Sequence, residues 1–269
     1  MLIIHEKFTK KLATDPEIGN VNDFLLNLLI EVVTENYRQT LNEHIWENED
    51  GSLEAFHLDP PLRANERIIS GLFSQAISKA SSRSRPEARI NRKKAEIPTE
   101  EEFGSSNAAG RIDFLAWTNG RTIGIELKSG LMNFKSNIPT DSLLEKWKKV
   151  WQQAQDAQNY LRDQSKEDKV TYPSPITLAL MVVVGVRNVI REDIDEIAKN
   201  FENDYIGFVN AIQQIGDPKP QFIATYTFPE EFRGVSRRKR GASKYDKEKC
   251  AYTPFVGFIC RAAINKTQK

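Results

Sequence analysis

Three side chains stand out as able to do chemistry together: Asp113, Glu126 and Lys128. Residues 110–128 read Gly-Arg-Ile-Asp-Phe-Leu-Ala-Trp-Thr-Asn-Gly-Arg-Thr-Ile-Gly-Ile-Glu-Leu-Lys. Charges inside such apolar runs need a reason, because burying one unpaired is expensive. Two carboxylates brought to one spot repel each other unless a proton or a cation lies between them. Ligands that are all oxygen suit a hard cation such as Mg²⁺ or Mn²⁺, which takes one or two carboxylates together with substrate phosphate oxygens. An ammonium beside that cation, here Lys128, would hold an attacking water or stabilise charge developing on a phosphate.

The local pattern says how these residues are positioned. Residues 111–117 and 122–127 are apolar runs on either side of Asn119-Gly120. Asn-Gly accepts the positive φ of a tight hairpin turn, so the segment is expected to be a β-hairpin. Glu126 and Lys128 are two apart and share a strand face, and Asp113 on the paired strand can reach it. The plain alternative is a cross-strand ion pair on a solvated face. Against it, Ile112, Phe114, Ile123, Ile125 and Leu127 are expected to fill one face, while Leu115 and Trp117 share the face of Asp113. A strand apolar on both faces belongs to the interior of a sheet.

The arrangement Gly110-Arg111-Ile112-Asp113 followed by Ile125-Glu126-Leu127-Lys128 resembles the PD-(D/E)XK, or restriction-endonuclease-like, nuclease superfamily. Ile112 stands where that motif's proline would be. The resemblance spans roughly residues 59–190. It implies that Asp113 and Glu126 hold one or two metal ions, with the Leu127 carbonyl as a further ligand, and that Lys128 orients or activates water. Members of the superfamily often place a Glu near the metals on the helix before the sheet, and Glu66 matches that position, which implies that it adds a metal ligand or acts through water. The alternative for Glu66 is a first-turn acid favoured by the helix dipole. A Gln-x-x-x-Tyr motif carried by RecB-like members is absent, since Asp156 precedes Tyr160 at that spacing. Gln155 and Gln158 lie near the same helix stripe.

Elsewhere the chain supplies helices, further strands and basic segments. Residues 1–58 read as an N-terminal helical extension, and 59–269 as the nuclease-like domain. Asn20 or Asn22 is expected to cap a helix with a stripe of Phe24, Leu25, Leu28, Leu29, Val32 and Val33. That stripe can dock on the rest of the chain or pair with a second copy in a homodimer through the 20–36 helix. Asp59-Pro60-Pro61 is expected to open a second helix carrying Ile68, Ile69, Leu72, Phe73, Ala76 and Ile77. A third should start at Asp141 or Ser142, with Leu143, Trp147, Val150, Trp151, Ala154 and Leu161 inward. Both Trp147 and Trp151 are expected to be core. Residues 95–98, 176–186, 222–228 and 252–264 read as strands, and 191–201 as a helix. Strands alternating with helices suggest an α/β layer. Two basic segments could grip a phosphate backbone. One runs through Arg83, Arg85, Arg89, Arg92, Lys93 and Lys94, and the other through Arg237, Arg238, Lys239 and Arg240.

Composition closes off other classes. The 269 residues include 38 Lys and Arg against 37 Asp and Glu, so overall charge does not point to a polyanion and only local clustering can. Cys250 and Cys260 are the two cysteines, which argues against a cysteine-based zinc site and for a reducing, cytoplasmic setting. No apolar run reaches membrane-spanning length. Phosphate-loop, nucleophile-elbow and dinucleotide glycine motifs are missing. His5, His44 and His57 are scattered and read as surface residues.

The expected fold is α/β, with a mixed central sheet flanked by helices. The resemblance makes that sheet a restriction-endonuclease-like core with an N-terminal helical extension. The expected function is Mg²⁺- or Mn²⁺-dependent hydrolysis of phosphodiester bonds in DNA, as an endonuclease, with RNA and exonuclease action as open alternatives. The rival classes are a catalytically weak or inactive nucleic-acid-binding protein, or a protein-interaction module, on the same fold.

Overall fold

A computed structural model describes residues 1–5, 19–42, 45–47, 53–55, 60–63, 66–91, 109–136, 138–190, 199–229 and 249–263. In chain order the described elements are β1 (Leu2–Ile4), α1 (Gly19–Asn42), β2 (Ile45–Glu47), β3 (Leu53–Ala55), α2 (Glu66–Ala80), β4 (Arg83–Asn91), β5 (Ala109–Thr118), β6 (Arg121–Asn133), α3 (Asp141–Glu167), β7 (Ile176–Ile190), α4 (Phe201–Gln213), β8 (Phe222–Thr227) and β9 (Lys249–Ala263). Short 3₁₀ turns at Pro61–Arg63 and Phe134–Ser136 complete the set.

Seven strands form one sheet in the order β1-β8-β9-β7-β6-β5-β4, and β2 and β3 pair separately. Neighbours are antiparallel except β6 and β7, which run parallel. The α3 helix connects that parallel pair, because two parallel strands need a crossover. The chain is therefore α/β, with a mixed sheet flanked by four described helices.

Period-two alternation sends each strand's apolar residues to two layers. On one face Ile123, Ile125 and Leu127 of β6 meet Leu178, Leu180 and Val182 of β7 under Leu25, Leu28 and Val32 of α1 and Leu72, Phe73 and Ile77 of α2. On the other, Ala179, Met181 and Val183 of β7 meet Leu143, Trp147 and Val150 of α3 and Phe208, Ala211 and Ile212 of α4. The expected stripe of α1 is thus spent on the chain's own core. Trp147 is fully buried, and its indole N–H donates to the Pro218 carbonyl at 2.6 Å. Trp151 is half-buried against the same layer, beneath the Arg261 guanidinium.

Several boundaries differ from the sequence expectation. Asn20 and Asn22 lie inside α1 and so do not cap it. Pro60 precedes the 3₁₀ turn, and α2 begins only at Glu66; Asp59 lies outside the described residues. Thr140 is the cap of α3, its side-chain oxygen accepting from the Leu143 amide at 3.3 Å. Residues 83–91, expected as a basic surface run, form edge strand β4, where charges and Pro86 are tolerated on an unpaired edge. Residues 95–98 and most of the 191–201 helix fall outside the described residues. The α4 helix, which follows them, has no counterpart in the sequence expectation. Contacts cross the 58/59 boundary: β1 pairs with β8, and α1 shares its apolar cluster with α2 and the sheet.

Candidate active site at a fork in the sheet

The hairpin forms as the sequence dictates. Asn119 and Gly120 turn at φ 49° and 69°, both positive, as a tight hairpin turn requires. From Thr118↔Arg121 to Phe114↔Ile125, β5 and β6 pair in register. There their ladder stops, although neither strand does. The β5 strand continues beside β4 as far as Asn91↔Ala109, and β6 continues beside β7 as far as Asn133↔Val186. The sheet forks, and the first residues past the last rung are Asp113 and Glu126.

The fork explains why carboxylates stand here. Where the ladder ends, strand amides lose their cross-strand acceptors, and a buried amide must find another. The Leu127 amide donates to Asp113 Oδ2 at 2.8 Å, so the carboxylate replaces the next rung. Glu126 occupies the row of Ala179 on β7 and is 1% exposed. A carboxylate this deep is costly unless cations or donors compensate it.

Lys128 supplies a cation. Its ammonium donates to Glu66 Oε1 at 2.9 Å, which ties the first turn of α2 to the fork. Burial alone would lower the Lys128 pKa. The hydrogen bond and charge of Glu66, with the charges of Asp113 and Glu126, outweigh that and hold it above its ordinary value. Three acids therefore act on one ammonium. One residue further, the Ser129 carbonyl accepts from the Lys146 ammonium at 2.9 Å, bringing a second cation from α3 to this strand.

Asp113, Glu126 and Lys128 are thus brought together as expected. Glu66 joins them through Lys128. Among the described residues no group of three or more His, Cys, Asp or Glu side chains is gathered to hold a metal ion. Asp113 and Glu126 form a two-carboxylate, all-oxygen set, which fits a hard cation that completes its shell with water and substrate oxygens.

Other expected residues are more dispersed. Arg83 lies over the Trp117 ring, 4.9 Å from its centroid. Arg85 is exposed on β4, and Arg89 stands opposite Arg111 in the ladder. Arg92, Lys93, Lys94, Arg237, Arg238, Lys239 and Arg240 lie outside the described residues, as do His44 and His57. His5 is half-buried rather than on the surface, with its Nε2 3.0 Å from Thr225 Oγ1. Gln158 anchors α3 by donating to the Pro175 carbonyl at 2.9 Å. Ile112 packs with Ala88 and Leu115 in the cluster beneath Ala157 and Leu161 of α3, not with Phe114 and Ile125. It lies beyond the last β5–β6 rung, so the hairpin no longer dictates its neighbours.

Sequence reasoning misses one residue near the fork. Glu87 stands across from Asp113, between the rungs Pro86↔Phe114 and Ala88↔Ile112, with φ 47°. Its carboxylate accepts from Arg111 Nη1 at 2.9 Å. The sequence clue is Arg111 itself, two residues before Asp113.

No family model, no curated protein and no solved structure matches this chain.

Proposed function

We propose that the chain is a metal-dependent nuclease with a PD-(D/E)XK-type site, hydrolysing phosphodiester bonds of DNA in the cytoplasm. One observation carries the reading: Asp113 and Glu126 are the first residues past the last β5–β6 rung, and both charges act on Lys128. Asp113, Glu126 and the Leu127 carbonyl would hold Mg²⁺ or Mn²⁺. When bound, that ion would polarise a phosphoryl oxygen and lower the pKa of a coordinated water. Lys128 would orient the water and offset charge growing on the phosphate. Glu66 holds Lys128 in place, so its contribution is read as positioning rather than as a ligand. The burial of Glu126 raises the strength of every electrostatic interaction in the fork.

The test is incubation with closed circular and linear DNA, with Mg²⁺ or Mn²⁺ and with EDTA. The expected result is metal-dependent nicking of the circle, abolished by EDTA and by Asp113→Asn. Absence of any metal-dependent cleavage of DNA or RNA would sink the proposal, as would Asp113→Ala cutting at the parental rate.

A second reading takes support from the Lys128–Glu66 ion pair, which occupies the lysine within the protein. On that reading the fold binds nucleic acid without cutting it. A metal-dependent footprint without cleavage would distinguish it.

A further inference from the structure

A nuclease site needs a group that fixes the substrate backbone beside the metal-binding carboxylates. Phosphate contacts set a protein's register on nucleic acid, and a planar guanidinium with five donors suits a phosphate's paired oxygens. Arg111 is placed for this. It lies on the limb of β5 that has left β6, two residues before Asp113. Its side chain is 56% exposed. Its partner, Glu87, stands in the Asp113 row of the neighbouring strand, so the ion pair draws the guanidinium toward that row.

The pair has an unusual support. Glu87 adopts φ 47°, a left-handed conformation uncommon for a residue with a Cβ, and its rung with Asp113 is skipped. A conformation of this kind persists where its surroundings hold it, and such positions gather at ligand sites. An ordinary surface ion pair needs none of this and contributes little to stability.

We infer that Arg111 grips a phosphate of the DNA backbone next to the scissile bond, and that Glu87 positions its guanidinium for that contact. This rests on the nuclease reading of the same fork. Arg111 binds and orients a non-reacting phosphate, and no bond to it forms or breaks.

The test measures affinity for a short DNA duplex in EDTA, where cleavage plays no part, alongside metal-dependent cleavage rates. Arg111→Gln should weaken affinity about tenfold, the scale of one charge-assisted hydrogen bond. The slope of log affinity against log salt should flatten by about 0.9. Arg111→Lys should recover part of the affinity, having the charge without the fork geometry. Glu87→Gln should weaken affinity less than Arg111→Gln. In cleavage, Arg111→Gln should raise KM and leave kcat close to the parental value. Arg121→Gln, at the far end of the hairpin, is the control for general loss of positive charge. Equal losses in Arg111→Gln and Arg121→Gln, or no duplex binding by the parent protein, would overturn the inference. If Arg111-dependent binding is found but no cleavage occurs with any metal, the nuclease reading fails and the phosphate contact stands.

Discussion

Two of the clusters that join carboxylates to lysine among the described residues do so in opposite proportions. Between α1 and α2, the buried carboxylate of Glu35 accepts from Arg38 Nε at 3.1 Å, Gln39 at 2.9 Å and the Lys79 ammonium at 3.0 Å. Three side chains serve one acid. The hydrogen bond from Arg38 foremost, against the opposing effect of burial and with help from Gln39 and Lys79, lowers its pKa to about 2. At the fork, Glu66, Asp113 and Glu126 all bear on the one ammonium of Lys128. The first arrangement is what a buried charge needs in order to stabilise a fold. The second concentrates negative charge where the sheet opens. An excess of acid of that kind is unfavourable for folding and useful for capturing a cation.

The comparison breaks most readily at the fork. Asp113→Asn and Glu126→Gln should each lower cleavage by about a thousandfold or more, the scale of removing a group that stabilises transition-state charge. Neither should lower the melting temperature of the metal-free protein, since each substitution relieves repulsion between the two acids. Calorimetry should show Mg²⁺ or Mn²⁺ binding in the parent that Asp113→Asn abolishes. Tight Zn²⁺ binding that survives both carboxylate changes would contradict the assignment.

The converse holds at the other cluster. Glu35→Ala should destabilise the fold by about 1–3 kcal/mol, because it removes a buried, charged acceptor on which the hydrogen bonds of Arg38, Gln39 and Lys79 converge. For a chain this size that is a fall in Tm of roughly 2–4 °C per kcal/mol, read by calorimetry. Cleavage at saturating DNA should be unchanged at temperatures where the variant is folded. The pH dependence has a definite sign. The folded-state pKa of Glu35 is depressed from its ordinary 4.5 to about 2, so its stabilisation is complete above 4.5 and lost as pH falls toward 2. The stability gap between the parent and Glu35→Gln should therefore narrow across that window in acid denaturation curves. A constant gap would mean that the cluster acts through packing alone.

Glu66→Gln sharpens the contrast at intermediate size. If Glu66 only holds Lys128, cleavage should fall about tenfold, near the strength of one charge-assisted hydrogen bond. A loss as large as that of Asp113→Asn would make it a metal ligand instead. The smallest effect is expected from neutralising Arg237, Arg238, Lys239 and Arg240 together. Duplex affinity should weaken, and the salt slope should flatten by about 0.9 for each phosphate that is no longer neutralised. The cleavage rate at saturating DNA should hold. An unchanged salt slope would remove that segment from the interface.

The parts of the fold fixed by local pattern were legible. Asn119-Gly120 announced the hairpin, and Leu143, Trp147, Val150 and Ala154 announced the face of α3 that is buried. The spacing of Asp113, Glu126 and Lys128 announced the side chains that converge. What stayed hidden depended on distant partners. Past the ladder's end at Phe114↔Ile125, β5 follows β4 and β6 follows β7, pairings with distant strands that no local pattern records. Strand β6 runs on through Ser129 and Gly130 because β7 pairs with it there. The three residues of β1 are too few to carry a period. The α4 helix did leave a signal, with Phe201, Tyr205, Phe208, Ala211 and Ile212 at helical spacing, all packed in the layer with Trp147. Glu35, whose partners Arg38 and Gln39 follow within a turn, could also have been found from spacing.

The bond from the Leu127 amide to Asp113 Oδ2 gives the protein a built-in reporter. An amide held by a neighbouring strand exchanges with solvent only when the sheet opens. This one is held by a carboxylate that a cation would recruit, so its proton registers a change of partner while the sheet stays closed. In a metal titration followed by amide NMR, the Leu127 resonance should move while that of Ile125, inside the β5–β6 ladder, stays still.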